Sequence, residues 1–158
     1  MKLTTTAALL SLMLVAGTTA SATTTVSFVQ PERYADAGNT PAEEPKNLEV
    51  LAGHLQLLGA QLPATQTLRI DVLDIDLAGE VSPRRISPPL RVAGNADWPR
   101  IHLRYSLEQD GRVLRSGDEW LKDLHYSRTG IYARRDAPLY YEKRLLDAWF
   151  RQRIAAPA

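Results

Sequence analysis

Apolar residues recur at two different periods along the chain, and each period indicates a different kind of element. Leucines between positions 48 and 62 recur at steps of three and four residues, which places them on one face of a helix. Asn47 is a suitable N-cap for this helix, and Pro63 is a suitable stop. We therefore predict a first helix between these two residues.

A second helix is predicted near the end of the chain. Asp136 can cap it, and Tyr141, Leu145 and Trp149 follow at steps of four residues on one apolar face. We expect its opposite, charged side to begin at Glu142.

Strict alternation of apolar and polar residues over positions 100–108 predicts a β-strand with one buried and one polar face. Asp110 and Gly111 form the favoured two-residue hairpin turn, so a second, antiparallel strand should follow. The register set by this turn pairs Leu107 with Leu114, which fits the apolar pattern.

The same register creates one conflict in the hairpin. It places His102 opposite Glu119, a pair that could orient the imidazole, but it also places Asp118 on the apolar face. A β-bulge at Gly117 would turn Asp118 outward, and we predict a bulge at this position.

The stretch RIDVLDIDLAGE, residues 69–80, combines a strand-like apolar pattern with four carboxylates. Ile70 and Val72 share one parity, whereas the apolar residues from Leu73 onward share the other. A bulge between Val72 and Leu73, or a strand that ends and turns, would keep both apolar sets inside and the aspartates outside. The arginines expected to pair with these aspartates lie at positions 84, 85, 91, 100 and 104.

Asp74, Asp76 and Glu80 in this stretch are the candidate metal-ligating residues. A calcium loop of the EF-hand type starting at Asp74 would need ligands where the chain has Ala78 and Arg85, so two ligands are missing. We favour surface ion pairs over a metal site here. No cofactor is predicted.

A candidate anion-binding surface lies within YSRTGIYARRDAPLYY, residues 126–141. Arg128, Arg134 and Arg135 are interleaved with tyrosines, and guanidinium groups beside aromatic faces suit an anionic or glycan-type ligand. The interpretation that we favour is a solvated loop whose arginines pair with nearby carboxylates.

Residues 1–22 have the composition of a secretory signal peptide. They contain a basic residue near the start, an apolar core over positions 7–16 and the small-residue motif ASA at positions 20–22. The apolar core is too short to span a bilayer as a stable anchor. We predict cleavage near Ala22, export to the periplasm, no transmembrane segment after cleavage, and one globular domain over residues 23–158.

Charge and cysteine content exclude several classes of function. Loss of Lys2 reduces the 19 basic residues to 18, which equals the number of acidic residues. This balance argues against a nucleic-acid-binding protein, which needs a basic excess. The chain has no cysteine, which excludes thiolate metal sites and thiol nucleophiles and suits a periplasmic protein without disulfides.

The predicted elements together indicate the fold class. A short edge strand around Val26 and Phe28 ends at Pro31, and another strand begins near Leu68, after the first helix. We expect an α+β fold, with an antiparallel sheet of four to five strands and two helices packed on one face.

Four segments, LDIDLAGE, WPRIHLRYSL, LKDLHY and YEKRLLDAWF, resemble in their order and spacing a family of bacterial exported proteins known as DUF3016, a domain of unknown function. The resemblance extends from VSFVQPERYADA to WF and so covers nearly the whole mature chain. It implies a bacterial envelope protein and supplies no catalytic or binding residue.

No catalytic constellation is evident in the sequence. The G-x-S-x-G motif is absent, and the three histidines lack the spacing of metal ligands. We expect a non-catalytic binding or envelope-assembly module in the periplasm, whose partner is an envelope protein or a small ligand. The alternative is a metal-assisted enzyme that uses Asp74, Asp76 and Glu80.

Overall fold

The structure is a computed structural model and describes residues 22–82, 91–92, 96–126 and 138–156. The strands are β1 (Thr23–Phe28), β2 (Gln66–Asp76), β3 (Glu80–Val81), β4 (Arg91–Val92), β5 (Arg100–Gln109) and β6 (Arg112–Lys122). The helices are a 3-10 turn (Pro31–Arg33), α1 (Glu44–Gly59) and α2 (Tyr140–Trp149), and α2 continues into a π-helical turn (Phe150–Ile154). No helix within these ranges has the length and apolarity needed to cross a membrane.

The main sheet has four strands in the order β1-β2-β5-β6, and β3 and β4 form a separate two-stranded sheet. β5 is antiparallel to both of its neighbours, as expected, but β1 is parallel to β2. The prediction of a purely antiparallel sheet was therefore wrong, although the α+β class is supported. The physical reason is α1, which connects β1 to β2 and supplies the crossover that parallel neighbours require.

The helices also differ from the predicted pair on one face of the sheet. α1 lies against β1 and α2 against β6, which are the strands at opposite edges of the sheet, and the two helices contact each other between them. α1 approaches β1 closely because it carries Gly59, where any Cβ atom would collide with the Thr24 side chain.

A continuous apolar core joins the sheet to both helices. It contains Leu103, which is fully buried, and Phe150 and Trp149 of the last helical segment. Burial of Trp149 and Phe150 confirms that this amphipathic helix fills the core. The other core residues are Leu51, Leu55, Leu58, Leu68, Ile70, Val72, Ile75, Leu77, Ile101, Tyr105, Leu107, Leu121, Leu145, Leu146 and Ile154.

The phase slip predicted in β2 is present as a β-bulge. Val72 pairs with Leu103 and Asp74 with His102, so Leu73 is the extra residue. The bulge reverses the parity of the strand, and both Val72 and Ile75 are consequently buried. This prediction is confirmed.

The bulge predicted at Gly117 in β6 was wrong in position. The register shifts instead at Leu114, because Leu107 pairs with Arg115 while the next residue, Glu108, pairs with Val113. This shift by one residue, which follows the first two pairs after the turn, moves His102 opposite Trp120 rather than Glu119. It also moves Asp118 to the polar face, so that Asp118 no longer points towards the apolar core.

Gly117 has a packing role in the absence of a bulge. It pairs with Tyr105, and a Cβ atom at this position would lie 2.7 Å from the Tyr105 ring. Tyr105 cannot move away easily, because it is buried and its ring contacts Trp149 edge-on at 5.4 Å. The glycine therefore provides the space that the tyrosine ring occupies.

α1 begins at Glu44, before the predicted N-cap Asn47. Pro45 fits the first turn, where a backbone N–H needs no intrahelical partner. The Asn47 side chain donates a 2.9 Å hydrogen bond to the Ala37 carbonyl and so ties the helix to the preceding loop. Asp136, the predicted cap of the second helix, lies outside the described residues.

We expect Gly117→Ala to lower the free energy of unfolding by about 1–3 kcal/mol, because the added methyl group overpacks the Tyr105 ring. Gly53→Ala is the matched control, since a Cβ atom there meets nothing within 4 Å. In the interior of α1 it should raise stability by roughly 0.5–1 kcal/mol. Urea unfolding of both variants tests this, and equal effects would contradict the packing role.

Candidate functional site

The three candidate metal-ligating residues of the sequence make separate contacts. Asp74 accepts hydrogen bonds from the backbone N–H groups of Ala35 and Ile75, at 2.8 and 2.9 Å. Asp76 forms an ion pair with Arg100. Glu80 is exposed in β3. Asp74 and Asp76 therefore stabilise the end of β2, and Asp76 meets a predicted arginine partner, Arg100. Two of the other predicted partners, Arg84 and Arg85, lie outside the described residues.

Asp76 and Glu80 do line one shallow cavity of about 500 Å³, together with Asp36 and Asp97. Two of these carboxylates are already held by guanidinium groups, Asp76 by Arg100 and Asp36 by another arginine. Within the described ranges, no group of three or more histidines and carboxylates has positions that could hold a metal ion.

That other arginine, Arg91, forms the most highly connected polar group in the described structure. Its Nη2 donates to both oxygens of Asp36, at 2.9 and 2.7 Å, and its Nε donates to Asn39 Oδ1 at 2.8 Å. Its Nη1 donates to the Gly79 carbonyl at 2.5 Å. The bonds to Asp36 and Asn39 join β4 to the loop before α1, and the bond to Gly79 joins it to the turn after β2, so Arg91 acts as a structural clamp.

Glu142 is the buried acid beside this clamp. The sequence placed it at the start of the charged side of α2, but it is 3 % exposed. Its Oε1 accepts a 2.7 Å hydrogen bond from the Ala78 N–H. Burial raises the pKa of the Glu142 carboxyl, and the hydrogen bond from Ala78 and the nearby charge of Arg91 offset part of this effect.

Glu142 and Arg91 both line a pocket of about 260 Å³ between the loop before α1 and the start of α2. The described contacts of both side chains connect segments of the chain. Arg91 uses each of its guanidinium nitrogens in this way. Glu142 and Arg91, which line this pocket, thus connect several segments of the fold.

The outer edge of β6 forms a different kind of surface. β6 is the last strand of the sheet and has 11 residues. Among the described residues, only those of β5 form hydrogen bonds to its backbone. Within residues 22–82, 91–92, 96–126 and 138–156, its outward-facing N–H and C=O groups have no backbone partner, as at the edge of a sheet that can accept an added strand.

A groove of about 320 Å³ runs beside this edge, between residues 119–123 and the helix α2. Arg144, Ala148 and Gln152 line its helical side. Trp149 also lines it, and its indole N–H is buried without an acceptor among the described residues. A buried donor of this kind is uncommon in native structures and identifies a position where an acceptor would be stabilising.

Charged pairs lie at both ends of the groove. The Arg153 Nε is 3.2 Å from a Glu119 oxygen, and the Arg144 Nη2 is 3.7 Å from an Asp123 oxygen. Arg115 also ties β6 to the end of the chain, because its guanidinium donates to the carbonyls of residues 153, 154 and 156. These contacts fix α2 beside β6 and keep the groove in a defined shape.

The polar face of β5 and β6 carries an aromatic pair. The Trp120 and His102 rings are stacked, with centroids 4.4 Å apart and an angle of 13° between their planes. His102 Nε2 lies 2.6 Å from Asp118 Oδ1, and this hydrogen bond lowers the pKa of the Asp118 carboxyl. Trp120 is nevertheless 55 % exposed.

Sequence reasoning missed the functions of Glu142 and Arg91 and mispaired His102. Glu142 precedes Leu145 and Leu146 by three and four residues, so its position on the buried face of α2 could have been read from the spacing. The partnership of Arg91 with Asp36 has no signal of this kind, because 54 residues separate them in the chain. Arg128, Arg134 and Arg135 lie outside the described residues, so both the favoured solvated loop and the candidate anion-binding surface stay predictions.

The fold and these contacts define the protein as an α+β domain in which Asp36, Asp74, Asp76 and Glu142 make contacts within the domain. Among the described residues, the edge strand β6 pairs with β5 alone. The family model described as "Protein of unknown function (DUF3016)" matches residues 22–152, and the chain belongs to this family. The resemblance recognised in the sequence is thereby confirmed. No curated protein matches the chain.

A search of solved structures found a PelC dodecamer from Paraburkholderia phytofirmans. It is 14 % identical in sequence, the match covers 65 % of this chain and 70 % of that chain, and the TM-score is 0.27. A TM-score this low does not support a conclusion about shared fold, assembly or function.

Glu142→Gln tests the buried acid. Because the pKa of Glu142 is raised in the folded state, ionisation destabilises the protein as pH rises above the ordinary value of 4.5 and through the folded-state pKa. Glutamine can still accept the Ala78 hydrogen bond and does not ionise. We therefore expect the melting temperature of the variant, relative to that of the wild type, to increase as the pH rises from 4 to 8.

Glu49→Gln, which removes a carboxylate from an exposed position of α1, is the control for the loss of one charge. Identical pH profiles for the two variants would contradict the role assigned to burial of Glu142.

Proposed function

We propose that this protein is an exported, non-catalytic assembly module of the bacterial envelope, and that it binds an extended polypeptide segment along the outer edge of β6. The signal-like residues 1–22 and the lack of cysteine support export to the periplasm. The mature domain that remains after cleavage near Ala22 comprises residues 23–158.

The open edge of β6 beside the groove is the observation that carries this proposal. Polypeptides commonly bind in this way, because main-chain hydrogen bonds to an edge strand supply affinity while neighbouring pockets select side chains. Both parts are found in the described part of the chain, where the outer backbone groups of β6 have no partner and the groove with Trp149 lies beside them.

Protein edges of this length are normally protected from pairing. Charged side chains, bulges and short strands are the usual protection. β6 has its bulge at Leu114, close to the turn. Residues 115–122 follow the bulge and pair regularly with β5. The exposed side chains of Val113, Leu114 and Trp120 add apolar surface to this strand. This part also carries four charged side chains, but Arg115, Asp118 and Glu119 are held in contacts within the domain, which leaves Lys122 as the charge that protects the edge. The regular part of the edge is therefore suited to accept a partner strand.

The contacts of Asp74, Asp76 and Arg91 support a binding function rather than catalysis at these residues. Asp74, Asp76 and Arg91 form hydrogen bonds and ion pairs that connect one segment of the fold to another. A nucleophile or general base needs a free side chain at a site open to substrate. These three side chains do not meet that requirement.

The alternative function is a metal-assisted enzyme built on Asp74, Asp76 and Glu80. A specific metal site in the folded protein must raise its melting temperature as the metal concentration increases. We expect calcium, magnesium and zinc each to leave the melting temperature of the purified protein unchanged. A melting temperature that rises with metal concentration in the wild type but not in Asp76→Asn would support the metal-assisted enzyme and contradict the binding module.

Ala148→Arg tests the proposed partner site. Ala148 lines the groove from α2, and an arginine there would occupy the space beside the β6 edge. Gly53→Arg is the matched control, because it adds the same side chain on α1 in open space. Melting curves of both variants would verify that each is folded.

The readout is photo-crosslinking in the periplasm. A photoreactive amino acid replaces Lys122, which lines the groove and is exposed. We expect a defined polypeptide adduct whose yield falls at least about tenfold with Ala148→Arg and not with Gly53→Arg. Adducts formed only with abundant background proteins, or equal yields in both variants, would overturn the proposal.

A further inference from the structure

The outer edge of β6 is complementary to itself when two copies of the strand run antiparallel. We propose that the polypeptide bound at this edge is β6 of a second copy of this chain, paired about a two-fold axis that passes through Trp120. This inference rests on the proposed function, because it names the partner at the same edge. The pairing would join two four-stranded sheets into one continuous sheet.

A two-fold axis limits the registers in which the two strands can pair. Antiparallel strands exchange hydrogen bonds between residues whose N–H groups both point towards the partner, and such residues alternate along each strand. For two identical strands, the axis must therefore pass through a residue that lies opposite its own copy. The choice of this central residue fixes which side chains of the two copies meet.

The charges of β6 select Trp120 as the central residue. Any charged residue at the centre would place two like charges opposite each other, which is destabilising. Among the uncharged centres, Trp120 is the one that opposes unlike charges within β6 and no like charges, because Asp118 then faces Lys122 of the second copy. Symmetry provides this pair twice. A centre at Gly117, by comparison, would place Lys122 opposite Arg112 of the second copy.

Both members of the Asp118–Lys122 pair are available on the surface of one copy. Lys122 is exposed and makes no ion pair or side-chain hydrogen bond with the described residues. Asp118 contacts His102 and Arg104, but half of its side chain remains exposed, and a carboxylate can accept several hydrogen bonds at once. A lysine on an edge strand normally hinders pairing, whereas opposite Asp118 it would stabilise the pair.

The exposed Trp120 ring gains a partner in the same register. It stacks on His102 with the ring centroids 4.4 Å apart, and 55 % of its surface remains exposed. At the axis, the two Trp120 side chains lie directly opposite each other on adjacent strands, within reach of an aromatic contact. The two stacked pairs would then form one aromatic row across the polar face and remove apolar surface from water.

The other face of β6 also accommodates the second copy. There Glu119 lies opposite Leu121 of the second copy, so no like charges meet on this face either. On the helical side of the groove, Ala148 is a small residue that leaves space beside β6. The register is therefore compatible with the side chains on both faces of the strand.

Sedimentation of purified residues 23–158 over a range of concentrations tests the dimer. A pair of short strands is at the lower end of interface sizes, so we expect reversible dimerisation with a dissociation constant weaker than about 1 μM. Lys122→Glu places a carboxylate opposite Asp118 and should weaken the dimer at least about tenfold, which leaves a monomer with an open β6 edge. Lys46→Glu, the same change at an exposed position of α1, is the control and should dimerise as the wild type does.

Single cysteines test the register, because the chain has no cysteine of its own. Trp120→Cys should form a disulfide-linked dimer under mild oxidation, since the Cα atoms of directly opposed residues lie about 4.5–5.5 Å apart, within the range that a disulfide spans. Ser116→Cys, on the same face of β6, is the control. Its two copies would lie about eight residues apart along the strands, or roughly 27 Å, and should not be linked.

A protein that stays monomeric at all concentrations, a dimer that Lys122→Glu leaves unchanged, or equal disulfide yields from the two cysteine variants would overturn the inference. Photo-crosslinking from position 122 separates this failure from failure of the proposed function. An adduct with the mass of two copies of this chain supports both. A defined adduct with a different polypeptide would overturn the second copy as partner but keep the β6 edge as the binding site, whereas the absence of any defined adduct would remove the proposed function as well.

Discussion

The β-bulge at Leu73 is the constraint on which the rest of the fold depends. β2 is hydrogen-bonded to β1 on one side and to β5 on the other, so a change of parity within it affects three strands. The bulge allows Val72 and Ile75 to enter the same core. The Val72 carbonyl at the bulge accepts hydrogen bonds from the Val29 N–H and the Tyr34 hydroxyl, and burial raises the pKa of Tyr34 to about 12.

The bulge also explains the acidic stretch that follows it. Beyond Leu73, β2 continues beside the segment around Asp36, whose backbone pairs with Ile75 and Leu77. Asp74 binds this segment through the Ala35 N–H, and Asp36 is held by Arg91. Carboxylates that look like a metal site in the sequence therefore connect loops to the end of a strand.

Addition of β1 in parallel, through α1, gives the sheet two unlike edges. α1 lies along the β1 edge, whereas β6 ends the sheet on the other side with a groove between it and α2. The polar face near β6 carries Trp120 in a fixed orientation. One strand thus contributes both to an edge beside a groove and to a polar face with an ordered aromatic pair.

Local patterns predicted much of this fold, and long-range contacts account for most of what they did not. The slip between Val72 and Leu73 was visible because every apolar residue in β2 has a fixed parity. The bulge in β6 was predicted at the wrong residue because the extra residue could lie either at Gly117 or just after the turn. In the structure it lies after the turn, and Gly117 pairs regularly and leaves space for the Tyr105 ring. The direction of β1 was also not determined locally, because a short alternating strand pairs equally well in either direction.

The candidate site was predictable only in part, for the same reason. The outward orientation of the aspartates followed from parity, but their partners did not. Contacts between Asp36 and Arg91, or between Glu142 and Ala78, join residues that are distant in the chain and are set by the tertiary fold. No periodicity within a single element contains that information.

Amide hydrogen exchange along β6, measured by NMR on residues 23–158 without a partner, tests the central claim most directly. An open edge predicts alternation over residues 115–122, with slow exchange where the N–H bonds to β5 and fast exchange where it faces outward. Uniformly slow exchange along the strand would show that the edge is already covered, and would contradict the account.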